Sequence, residues 1–152
     1  MKLAEALILR ADAQTRLTQL KDRLVKSALV QEGDKPPEDP GALIQEVERV
    51  SATLLGLVQK INKTNMSTEL STGVTLADAL AERDVLLLQR GIYASLAEAA
   101  SASQSRYSRS EVKFVSTVNV SEIRERADEL SKERRELDAK IQAANWNVDL
   151  IE

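Results

Sequence analysis

Three arginines, Arg10, Arg83 and Arg134, fall where a spacing of three and four residues calls for an apolar side chain, and Arg90 makes a fourth. A guanidinium on a packing seam is costly to bury alone, so each needs a carboxylate, an amide or an anionic ligand. If successive helices alternate in direction, one end of the molecule collects Arg10, Asp12, Asn62, Asn65, Arg83, Asp84, Asn145, Trp146 and Asn147, with Asp149 beside them. Arginine forks and asparagine amides suit a phosphate or carboxylate, and an indole can cover an apolar or ring-containing part of the same ligand. The competing expectation is structural. Arg–Asp pairs would set helix register, the amides would cap helix ends and Trp146 would plug the base, and polar seam residues more often choose partners than catalyse.

Other chemistry is scarce. The 152 residues contain no cysteine and no histidine, which removes thiol nucleophiles, disulfides, Cys/His metal sites and imidazole bases together. Acidic residues are scattered at solvent-face spacings and do not form the pairs that glycoside hydrolysis uses. A di-metal carboxylate bundle normally needs Glu-x-x-His. The expectation is therefore a non-enzymatic protein with no metal and no cofactor.

The elements that must position these residues are helical. Leu3, Ala6, Arg10, Ala13, Leu17, Leu20 and Leu24 form one stripe, and three prolines with Gly33 end the helix before residue 40. Asp39 stands as an N-cap ahead of Pro40. Leu43, Val47, Val50, Leu54, Leu57 and Ile61 form the cleanest stripe, suited to shallow-angle packing as in a coiled coil. Thr75 and Asp78 have capping-box spacing, followed by Leu76, Leu80, Arg83, Leu87, Arg90, Ala94 and Ala97. Asn119 and Glu122 mark a further start, with Ile123, Ala127, Leu130, Arg134, Leu137, Ile141 and Ala144 behind it.

These patterns predict an all-α fold over 1–152 as a single helical domain, with helices at about 2–30, 40–65, 76–103 and 120–145. An antiparallel bundle or long helical hairpins follow from the short connections. Tyr107, Val112, Phe114, Val115 and Val118 are strand formers, so a short extended or β-hairpin arm is expected at about 105–118, between helices three and four. With 3% aromatic residues the core is thin, which favours a homo-oligomer.

A net charge of -3 gives no general attraction to nucleic acid. Arg106, Arg109 and Lys113 interleave with Tyr107 and Phe114, the mixture a single-stranded nucleic-acid or phosphate binder uses, but an arm packing on the bundle or on a neighbouring subunit accounts for them better. The amino terminus has an apolar stretch interrupted by Glu5 and Arg10, too short for a secretory signal, and no run approaches the roughly 20 residues of a transmembrane helix. A cytoplasmic protein is expected.

Five motifs, at 1–12, 61–65, 81–84, 107–111 and 145–150, resemble a family of small bacterial helical proteins, some of which carry the name septicolysin with a pore-forming or bacteriocin-like description. The resemblance spans essentially the whole chain and implies a secreted, membrane-active toxin. Such an activity would require amphipathic helices to open onto lipid, at a cost set by the seam arginines.

Overall fold

The structure is a computed structural model that describes residues 1–101 and 112–152. Its elements are α1 (Leu3–Lys26), α2 (Pro40–Ser67), β1 (Glu69–Ser71), β2 (Val74–Thr75), α3 (Leu76–Ser101) and α4 (Val120–Asn147). They form two compact units, the first made of Met1–Glu69 with Ala143–Glu152 and the second of Leu70–Gln142.

In the first unit α1 and α2 form an antiparallel hairpin. Leu20, Leu43 and Val50 are its buried centre, with Ala13, Leu17, Leu24 and Val47 packed around them, as the two stripes require. Direction and register are marked by the pairs of Arg16 Nη2 with Glu46 Oε1 at 2.8 Å and Arg23 Nε with Glu38 Oε2 at 2.8 Å. Helix α2 starts where the sequence places it, with the Gly41 amide donating to Asp39 Oδ1 at 3.1 Å. Helix α1 stops at Lys26, short of residue 30, and its C-cap is the buried Ser27.

The chain end closes on this hairpin. The Leu3 amide donates to the Val148 carbonyl and the Leu150 amide to the Met1 carbonyl, both at 2.9 Å. Ile151 donates its amide to Thr64 Oγ1 at 3.0 Å, and Thr64, fully buried, donates that hydroxyl to the Lys60 carbonyl at 2.8 Å. Lys2 Nζ reaches Asp149 Oδ1 at 2.8 Å and holds that carboxyl below its usual pKa.

In the second unit α3 runs antiparallel to α4, and its start is capped reciprocally. The Asp78 amide donates to Thr75 Oγ1 at 3.1 Å while Asp78 Oδ2 accepts from the Thr75 amide at 2.9 Å. The β-hairpin lies between α2 and α3, pairing β1 with β2, and not between α3 and α4 as the strand formers at about 105–118 predict. Gly73, at φ 74, supplies the left-handed turn conformation that closes it, a conformation glycine adopts without steric cost. Of the arm expected at 105–118, residues 105–111 lie outside the described residues, and 112–118 form no strand.

Candidate functional site

The nine residues singled out by sequence divide between the units. Arg10, Asp12, Asn62, Asn65, Asn145, Trp146 and Asn147 belong to the first, and Arg83 and Asp84 to the second. Within the first unit Asp12 and Asn62 are exposed, Asn65 is half-buried and Asn145 is buried. Arg10 is half-buried with its Nε enclosed and unpartnered among the described residues. Asn147 Nδ2 donates to the Ala143 carbonyl at 2.9 Å, so its amide binds its own helix. Trp146 is 56% exposed and does not plug a core.

Arg83 has a partner that the stripe did not reveal. Its Nη1 donates to Asp138 Oδ1 at 2.7 Å across α3 and α4, while Asp84 lies at 3.9 Å from its Nε. The Asp138 carboxyl is held below its usual pKa, first by the Arg83 hydrogen bond, then by one from Gln142 and by the charge of Arg134. Two further arginines cross this seam to hydroxyls: Arg90 Nε to Ser131 Oγ at 3.2 Å and Arg124 Nη2 to Ser101 Oγ at 3.1 Å. The seam arginines therefore define the alignment of α3 on α4. Among the described residues no group of three or more acidic side chains could hold a metal ion.

The larger feature of the second unit is a face that the sequence analysis missed. Helix α3 buries Leu76, Ala79, Leu86 and Ala97, while Leu87, expected on the packing stripe, is 47% exposed. On the opposite side Val85 (59% exposed), Leu88 (69%), Ile92 (67%) and Leu96 repeat at helical spacing. Phe114 and Val115, 78% and 81% exposed, continue this surface, and they line a pocket of about 330 Å³ with Leu96, Ala99 and Ala100. The signal was available in the run Val85 to Leu88, which is too long to fit one face of a helix.

A second depression lies at the other end of the unit, beside the β-hairpin. Leu70, Val74, Leu86 and Leu137 supply its apolar part, within a volume of about 410 Å³. Glu82, Glu133, Glu136 and Lys140 stand on its rim, with Arg126 at 3.7 Å from Glu133 and Lys132 at 4.0 Å from Glu136.

The chain belongs to a family of unknown function, DUF6847, whose model matches residues 10–150. A functionally unknown conserved protein from Corynebacterium diphtheriae, known from a crystal structure, is 48% identical to it over 99% of each chain, with a TM-score of 0.95. No curated protein matches the chain. Among the described residues no helix is long and apolar enough to cross a membrane.

Proposed function

We propose that this is a non-enzymatic helical protein that works by self-association, with the outward face of α3 as its interface. One observation carries the reading: α3 is apolar on two opposite sides, and among the described residues only one of them is covered. A contiguous exposed apolar stripe of this kind marks a surface that a partner covers. The exposed parts of Val85, Leu88, Ile92, Leu96, Phe114 and Val115 amount to apolar surface on the order of 500 Å². That is the apolar share of an interface burying about 800 Å² per partner, since such interfaces are a little over half apolar.

A second copy of the chain is the partner this reading commits to. The face is uncharged along Val85, Leu88, Ile92 and Leu96, so it offers a partner burial and not ion pairs, and an identical face satisfies it by two-fold symmetry. The seam arginines then serve structure, and the reading includes a cytoplasmic location. Sedimentation equilibrium of the full chain across micromolar concentrations tests it: a dimer or higher species supports it, and a monomer throughout rejects it.

A further inference from the structure

We propose that the segment Lys113–Val115 of one copy docks in the acid-rimmed groove of a second copy, an exchange that deepens, and rests on, the association through α3. The groove is formed by Leu70, Val74, Leu86 and Leu137, with Glu82, Glu133, Glu136 and Lys140 on its rim. Arg126 and Lys132, outside this lining, reach Glu133 at 3.7 Å and Glu136 at 4.0 Å, which leaves Glu82 without an ion pair among the described residues. The groove's chemistry asks for an apolar anchor next to a positive charge. Lys113 and Phe114 are such a pair, adjacent in sequence and exposed, and Phe114 is the one phenylalanine in the chain. Aromatic residues, phenylalanine among them, are enriched at the cores of interfaces.

The segment cannot serve its own groove. Phe114 and Val115 lie against Leu96, Ala99 and Ala100, whereas the groove sits at Glu82 and Leu86. From Glu82 to Ala100 is 18 residues, which is five helical turns and about 27 Å. The same whole number of turns puts Glu82 and Ala100 on one flank of α3.

Two-fold antiparallel packing of the outward α3 faces brings the two ends together. A dyad perpendicular to both helix axes sets the Ala100 end of one copy beside the Glu82 end of the other and keeps the same flank on the same side. Each arm then meets its partner's groove, twice over, with Lys113 facing the glutamates and Phe114 entering among the leucines. The interface is closed and isologous, so association stops at the dimer.

The absence of native cysteine gives a direct test. Full-length Ser116→Cys and Ser71→Cys variants, at exposed positions beside the anchor and in the groove lining, are co-expressed and treated with a short bis-maleimide. The expected product is a cross-linked pair of twice the 16.8 kDa chain mass, formed from one chain of each kind and absent when either variant is treated alone. In unlinked protein Lys113→Glu weakens the dimer at least tenfold, and Glu136→Lys added to it restores most of the loss. A wild-type monomer at all concentrations overturns the α3 association and this proposal together. A dimer that gives no mixed cross-link, or that ignores Lys113→Glu, overturns the arm placement alone.

Discussion

Arg83 on α3 and Asp138 on α4 meet at 2.7 Å, with the arginine side chain 24% and the aspartate 37% exposed, and this contact aligns the two helices of the second unit. A pair this enclosed specifies register more than it adds stability, because the attraction is offset by desolvation. Removing one partner exposes that asymmetry. Arg83→Met or Asp138→Leu alone should destabilise the protein by about 1–2 kcal/mol, screened from the larger cost of a fully buried pair. The double variant Arg83→Met with Asp138→Leu should recover most of it. Urea unfolding of the four proteins in a double-mutant cycle measures the coupling.

Acid should weaken the fold in a defined window. Glu46 accepts from Arg49 and Arg16, which bring its pKa from 4.5 down to about 2. Glu38, Asp78 and Asp138 are also lowered, by Arg23, Thr75 and Arg83 in turn, from ordinary values of 4.5 for Glu and 3.8 for Asp. A carboxyl with a lower pKa folded than unfolded protonates first in the unfolded chain, so its stabilisation is present at high pH and lost as pH falls. Stability should be level from pH 7 to about 5, with no histidine to titrate there, and should then decline toward about pH 2. Denaturation midpoints against pH check this, and Glu46→Gln should flatten the decline.

Thr64 holds the chain end through one hydroxyl. Thr64→Val keeps the shape but leaves the Ile151 amide without its acceptor. The expected cost is about 1–3 kcal/mol, the penalty for an enclosed unpaired donor. Hydrogen exchange should accelerate at Ile151 while the Leu3 amide, bonded to Val148, stays protected.

Membrane activity separates this account from the toxin description that the sequence resemblance implies. Laying α1 on lipid would carry the half-buried Arg10 with it, and its apolar stripe is already packed on α2. Dye-loaded liposomes should stay intact with the wild-type chain at neutral pH, and concentration-dependent leakage would contradict the account.

What the sequence discloses is the local part of the fold. The starts at Asp39, Thr75 and Asn119 were legible because a cap is decided by residues within three positions, and the structure shows the Glu122 amide on Asn119 Oδ1 at 3.2 Å as that spacing requires. The start of α1 near residue 2 was legible from its stripe and not from a cap, since Lys2 is no usual cap and its amide donates to Glu5 Oε2 at 2.7 Å. The candidate site was legible only in part. Arg83 was seen as a charge on a seam, but Asp138 is 55 residues away and no local pattern links them. The outward face of α3 was hidden because Val85, Leu86, Leu87 and Leu88 together serve two sides, and a single stripe drawn through them selects one. The docking of residues 148–151 onto Met1, Leu3 and Thr64 is long-range backbone pairing that no side-chain period encodes.

The central claim is that α3 associates through its outward face, and sedimentation equilibrium of Leu88→Asp beside the wild type tests it most directly. Leu88 is 69% exposed, so the substitution leaves the fold of the single chain intact. The account predicts a wild-type dimer at micromolar concentration and a monomeric Leu88→Asp with an unchanged circular dichroism spectrum, because an aspartate buried on each side of a two-fold would be an unpaired charge. A wild-type monomer, or a Leu88→Asp chain that associates as strongly as the wild type, would contradict it.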